Sequence, residues 1–177
     1  MTNPVLTAIA DRRSNRAYKK DPITEEQLSV ILTAAVQAPS ARNAQPWHFT
    51  VVRNNDALLG EINAEVKKNT DRDIDDVFYG APTVIFISAN VKGPTPKWAR
   101  LDCGIAVQTI ALAAHSIGLG TVILGMPDAA FLGPRQDYFN KLLKFPDTYE
   151  FAIAIAIGAA LDTKDAHPVE PDKITYI

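Results

Sequence analysis

The stretch Ala99–Ile117 constrains the fold of this chain more than any other. It holds Leu101, Ile105, Ala106, Val107, Ile110, Ala111, Leu112, Ala113 and Ala114. Wound at the helical period, these side chains leave almost no polar face, so the spacing predicts a helix buried on all sides. One sheet covers only one side of such a helix. The opposite side is covered either by more of the same chain or by a twofold-related copy of the same helix, twofold pairing being the commonest symmetry of homo-oligomers. Gly118-Leu119-Gly120 ends the helix.

Other segments supply the sheet. Val84–Ala89 (VIFISA) is an unbroken apolar run of the kind buried on both faces. Trp47–Val52, the TVIL run at 121–124 and Phe151–Ile157 (FAIAIAI) read as further strands. Asn3-Pro4 pairs an N-cap with a first-turn proline and opens a short amphipathic helix ending near Arg12-Arg13. Thr24-Glu25-Glu26-Gln27 is a capping box. The helix after it carries Leu28, Ile31, Leu32, Ala35 and Val36 and stops before Pro39. Asp56–Lys67 reads as a helix, Asp71–Tyr79 as a short helical or irregular piece, and Pro127–Leu143 as two short helices. The tail from Asp162 is polar and ends in the apolar Ile174–Ile177. Helices and strands interleave without regular alternation. This predicts an α+β fold with a central mixed or antiparallel sheet of four or five strands flanked by helices. No repeat and no linker divides the chain, so residues 1–177 are expected to form a single domain.

Of the 177 residues, 47% are hydrophobic, enough for a sizeable core. The net charge is -2, from 18 basic and 20 acidic residues. This balance excludes the broad basic face of a nucleic-acid binder but leaves room for a local phosphate pocket. The single cysteine, Cys103, allows no internal disulfide and fits a reducing compartment. Its place in the apolar helix reads as inert packing. Charges arrive too early for a secretory signal, and no apolar run reaches the roughly 18 residues of a membrane span. A cytoplasmic protein with no membrane partner is expected.

Three polar segments stand out. Arg12-Arg13-Ser14-Asn15-Arg16 places three guanidiniums within five residues. They repel one another unless an anion lies between them, and the guanidinium fork suits phosphate; a solvated basic loop is the plainer alternative. Pro39–Trp47 is rich in amides and small residues, which suits either the polar edge of a heterocycle or a turn built of capping residues. Gly118–Gly125 lacks the spacing of a dinucleotide fingerprint. Its glycines either admit a ligand to the backbone or cap the helix. Asp102, near the start of the apolar helix, either favours the positive helix end or holds a basic partner. His48, His115 and His167 have no zinc-ligand spacing, and no hydrolase elbow or P-loop is present.

Taken in order, these segments resemble the nitroreductase family of FMN-dependent NAD(P)H oxidoreductases. The resemblance is carried by RRSNRAY at 12–18, APSARNAQPWHF at 38–49, LDCGIAVQTIALAAHSIGLGT at 101–121 and AIAIGAA at 154–160. It implies a nitroreductase-like, interlocked homodimer with the flavins in the subunit interface. By position, Arg12 and Ser14 match residues that hold the FMN phosphate. Arg13 matches a residue at the flavin edge that often contacts it through the backbone. Arg16 matches a basic residue beside the pyrimidine end of the flavin, where it stabilises negative charge. Pro39, Ser40, Asn43 and Gln45 match a loop supplied by the other subunit. Ile123, Leu124 and Gly125 match a strand end whose N–H groups approach flavin N5. The tail departs from the pattern, since Lys164–Lys173 contains no arginine where many relatives carry a basic pair. Lys164, His167 or Lys173 would have to stand in.

The resemblance implies hydride transfer from NADH or NADPH through flavin N5 to a small electron-poor acceptor, nitroaromatic- or quinone-like, with ping-pong kinetics. No side chain is required as a catalytic acid, and no metal is implied. A flavin-binding or storage protein with little NAD(P)H oxidation shares every one of these residues, and a cofactor-free interaction domain is the third possibility.

Overall fold

Four strands, β1 (Trp47–Arg53), β2 (Thr83–Asn90), β3 (Gly120–Leu124) and β4 (Tyr149–Gly158), form one sheet in the order β1-β2-β4-β3. Each of the three pairings is antiparallel. The helices are α1 (Pro4–Asp11), α2 (Glu25–Val36), α3 (Asp56–Lys68), α4 (Pro96–Ser116), α5 (Asp128–Phe131) and α6 (Gln136–Leu142). The computed structural model describes residues 2–70, 74–168 and 170–177. The first three positions of the piece expected over Asp71–Tyr79 therefore lie outside the described residues. From 74 the chain is irregular and turns at Tyr79-Gly80, where both residues have positive φ, 57° and 63°.

The two most apolar strands, β2 and β4, take the middle of the sheet because both their faces are covered. On β4 the alternation sorts residues by size. Ile153, Ile155 and Ile157 face α2 and α4, and meet the small residues Ala99, Ala106, Ala111 and Ala114 of α4. Ala154 and Ala156 face the opposite side, where Phe78, Phe86, Phe131 and Phe139 need the room. A register shift between Ile87 and Ser88 places Phe151 on this aromatic side as well. There it stacks on Phe131 with centroids 4.6 Å apart.

Helix α4 departs from the expectation of burial on every side. One face, from Ala99 through Cys103 and Val107 to Ala114, packs on the sheet and α2. Trp98, Leu101 and Ile105 are 46%, 59% and 42% exposed. Their spacing of three and four residues lines them up on one stripe. Helix α1 lies beside α4 and buries none of its own residues, so Val5, Leu6 and Ile9 extend the exposed apolar surface. Among the described residues no element is left to cover this face.

Candidate functional site

The turn after α1 is fastened to the open edge of β3. Ser14 forms a parallel bridge with Thr121, and the Asn15 N–H donates to the Thr121 carbonyl at 2.9 Å. Tyr18 bridges to Ala160, and the Lys19 N–H donates to the Ala159 carbonyl at 2.9 Å. The Tyr18 hydroxyl donates to the Asn15 carbonyl at 2.7 Å, and burial raises its pKa, which keeps it a neutral donor. The Asn15 side chain fits because position 120 is glycine: a Cβ there would stand 2.8 Å from Asn15 Oδ1 and 2.6 Å from Ala160 Cβ. From the tail, both carboxylate oxygens of Asp162 accept the Arg16 N–H.

The three guanidiniums of this turn do not converge. Arg13 caps the end of α1, donating to the Ala10 and Arg12 carbonyls at 2.5 and 2.9 Å, and its Nε donates to the Lys164 carbonyl at 2.9 Å. Cations at a helix C-terminus meet its unpaired carbonyls, which accounts for this placement. Arg16 turns the other way and lies over the Tyr79 ring, 5.8 Å from its centroid. The crowding expected from sequence is thus relieved by separate partners. Arg12 and Ser14 keep their side-chain donors unengaged by the described residues, both half-buried. In the tail, Lys173 pairs with Glu170 and His167 is exposed, while Lys164 meets the turn through its carbonyl.

Beside this turn, β3 is an edge strand. Because Thr121 turns its carbonyl outward to Asn15, strand alternation turns the N–H and C=O of Ile123 outward too. Leu124 is buried, Ile123 is exposed, and Gly125 is exposed with nothing within 4 Å of its Cβ position. A flat ligand could lie against this backbone.

The second polar loop sits elsewhere. It contains a short 3₁₀ turn, Ala41–Asn43. Arg42, Asn43 and Gln45 all adopt positive φ, 54°, 53° and 45°. Such a run of left-handed non-glycine residues is costly and collects at functional sites. Ser40 Oγ accepts the Gln45 N–H at 3.0 Å, and Gln45 Nε2 donates to Asn43 Oδ1 at 3.3 Å. Pro39, Asn43 and Gln45 are exposed. Asp102 explains how the loop is held: its Oδ1 accepts the Ala41 N–H at 3.1 Å. It has no basic partner among the described residues and lies beyond the first turn of α4, so neither sequence reading of Asp102 holds. Its neighbour Cys103 is buried, and burial pushes its thiol up to about 12, in keeping with inert packing.

One chain does not bring these two loops together. Asp102 supports the second loop near the start of α4. His115, Gly118 and Gly120, at its far end, line a cleft with Arg13 and Asn15. At 1.5 Å per residue, Asp102 and His115 stand about 20 Å apart along α4. Arg12, Ser14 and Arg16 thus lie at one end and Pro39, Ser40, Asn43 and Gln45 at the other, while Ile123–Gly125 run back from Gly120 along the sheet edge opposite β1. Sequence reasoning missed Asn15, Tyr18, Tyr79, Gly120 and Asp162. RRSNRAY and the Gly-Leu-Gly lie about 100 residues apart in the chain, so no local pattern joins Asn15 to Gly120, and nothing in the tail pointed to Asp162.

The model of the Nitroreductase family matches residues 9–159. The chain belongs to the nitroreductase family. A nitroreductase with bound FMN from Desulfitobacterium hafniense superposes with a TM-score of 0.89 at 37% identity, covering 100% of both chains. A second nitroreductase with bound FMN, from Bacteroides fragilis, gives a TM-score of 0.88 at 28% identity over 99% of this chain and 100% of that one. An Archaeoglobus fulgidus protein, provisionally named an NADH dehydrogenase/NAD(P)H nitroreductase, is 33% identical over 96% of this chain and 95% of its own length. Within the nitroreductase family, then, the α+β fold expected from sequence is shared along the whole chain.

Proposed function

We propose that this protein is an FMN-dependent oxidoreductase that takes hydride from NADH or NADPH and passes it to a small electron-poor acceptor, nitroaromatic- or quinone-like, in a ping-pong cycle. One observation carries the reading: the turn at 12–16 is fastened through Arg13, Asn15 and the Arg16 backbone while the Arg12 and Ser14 donors face no described partner, and it borders an open strand edge. A phosphate fits the free guanidinium and hydroxyl. A flat ring fits the outward backbone of Ile123 and the uncrowded Gly125. The FMN bound by the two structural neighbours and the NAD(P)H named for the archaeal relative support the same assignment.

FMN, when bound, supplies the redox chemistry at N5. The chain's own residues hold and bias it. Arg12 and Ser14 hold the phosphate. Arg13 shapes the turn and meets the flavin edge through its backbone. Arg16 brings positive charge to the pyrimidine end. Ile123, Leu124 and Gly125 present backbone along N5.

The remaining ligands, Pro39, Ser40, Asn43 and Gln45, come from a second copy. The exposed stripe Trp98, Leu101 and Ile105, continued by α1, is the surface that pairs. An antiparallel apposition of two α4 helices brings the start of one to the end of the other. The interlocked homodimer therefore has two equivalent sites. No described helix is long and apolar enough to cross a membrane, and a cytoplasmic home suits the lone buried cysteine.

The test is anaerobic. Purified FMN-loaded protein is mixed with NADH or NADPH and the flavin absorbance followed. Bleaching within seconds is expected. Persistent colour with dithionite-reducible flavin overturns the reductase in favour of a flavin-binding protein.

A further inference from the structure

Tyr79 has an unusual geometry. It is a bulky residue in the left-handed region, φ 57°, followed by Gly80 at 63°. A large side chain is a genuine outlier there and persists only where its surroundings over-determine it. Asp76 does so: its Oδ1 accepts the Phe78 N–H at 2.8 Å and its Oδ2 the Gly80 N–H at 2.6 Å. Val77 and Phe78 anchor the turn in the core. The outcome is a half-buried aromatic ring whose centroid lies 5.8 Å from the Arg16 guanidinium carbon.

Arg16 needs such a support. Its backbone is pinned by Asp162, but its side chain is exposed. Its one side-chain hydrogen bond to a described residue, to the Ser14 carbonyl, is long at 3.5 Å. No ion pair joins it to a described carboxylate. The ring face is the remaining directional contact, and it attracts a guanidinium through its quadrupole.

We infer that Tyr79 is a positioning residue, whose ring holds the Arg16 guanidinium at the pyrimidine end of the bound flavin and thereby raises the flavin's reduction potential. This rests on the FMN reading above. The attraction uses the ring face and not the hydroxyl. Phenylalanine therefore preserves it, whereas asparagine, which tolerates left-handed backbone, keeps the turn and removes the ring.

The experiment uses FMN-loaded wild type, Arg16→Ala, Tyr79→Phe, Tyr79→Asn and the Arg16→Ala/Tyr79→Asn pair. The readouts are the midpoint potential of the bound flavin and its anaerobic rate of reduction by NAD(P)H. Arg16→Ala is expected to lower the potential and slow reduction. Tyr79→Asn shifts both in the same direction, with a rate loss of about two- to fivefold. Tyr79→Phe retains the wild-type potential, and the double variant matches Arg16→Ala alone. A shifted Arg16→Ala with an unshifted Tyr79→Asn overturns the Tyr79 role and leaves the FMN reading standing. So does a Tyr79→Asn effect that adds in full to that of Arg16→Ala. An Arg16→Ala variant with unchanged potential, or wild type that takes up no FMN, removes the reading on which the inference rests. Should Tyr79→Asn be isolated unfolded, the comparison passes to Tyr79→His, which keeps a flat ring but carries less π density; an unaltered potential there also counts against the inference.

Discussion

The backbone N–H of Arg16 meets both carboxylate oxygens of Asp162, at 3.1 and 3.0 Å. This clamp ties the start of the tail to the turn that carries Arg12, Ser14 and Arg16. Burial pulls the Asp162 carboxyl up, but the Arg16 N–H, with Asn15 and the Ala17 N–H, outweighs it and holds the group below its ordinary value. A depressed folded-state value means that the clamp's stabilisation is complete above the ordinary aspartate range and is lost as pH falls through the depressed value.

Asp162→Asn is therefore expected to weaken FMN binding at neutral pH. The deficit relative to wild type should shrink below about pH 4. Titrating FMN fluorescence against both proteins from neutral to acid pH measures this, and the comparison cancels the phosphate's own titration. A deficit that stays constant across the range contradicts the clamp.

Gly120 and Gly118 separate close packing from backbone conformation. Gly120→Ala forces a Cβ to 2.6 Å from Ala160 Cβ and 2.8 Å from Asn15 Oδ1, so the turn or the strand end must move. Overpacking of this kind costs about 1–3 kcal/mol. Lower thermal stability and weaker FMN binding are both expected. Gly118→Ala meets open space but sits at φ 80°. It should lose stability by about 1–2 kcal/mol, the left-handed penalty, with FMN affinity nearly unchanged. Calorimetry with a parallel FMN titration checks the pair.

The fold was legible wherever a local rule acted alone. The capping box at Thr24–Gln27 and the apolar runs of β2 and β4 stand where local chemistry puts them. The glycine end of α4 does too, with Gly118 at φ 80° just past the last turn.

The site was legible only in part, for physical reasons. Arg12–Arg16 and Pro39–Gln45 announce themselves by composition, but composition is silent about direction. Arg13 is drawn to the carbonyls at the end of α1, which only the folded helix presents. Asp162 joins a turn 146 residues earlier in the chain, a contact with no local pattern. Tyr79 adopts a backbone conformation that its side chain disfavours, so propensity argues against the geometry found. Periodicity predicts burial for the stripe of α4 that the chain leaves exposed, because it reports how apolar a face is and not what covers it.

Asp102 supports the second loop through one bond, the Ala41 N–H at 3.1 Å. Asp102→Ala leaves that N–H without its acceptor, at a cost of about 1–3 kcal/mol. Asp102→Asn keeps an acceptor oxygen in the same place, so it should recover most of the stability. The expected order of melting temperatures is wild type, then the Asn variant, then the Ala variant, with FMN dissociation fastest in the last. Equal melting of the Ala and Asn variants would refute this role.

Mixed dimers test the shared site most directly. One chain carries Arg12→Ala/Ser14→Ala, and the other, with a different tag, carries Ser40→Ala/Asn43→Ala. In a homodimer of either variant both sites are damaged. In a mixed dimer with shared sites, one site collects every lesion and the other collects none. Co-expressed and purified through both tags, the mixed dimer should bind one FMN with wild-type affinity. If each site were built from a single chain, both sites of the mixed dimer would stay damaged and no wild-type affinity would return. Leu101→Glu places a charge on the exposed stripe of α4. Burying an unpaired charge between two copies is strongly unfavourable, so this variant should elute as a monomer and lose FMN even with all its own site residues intact.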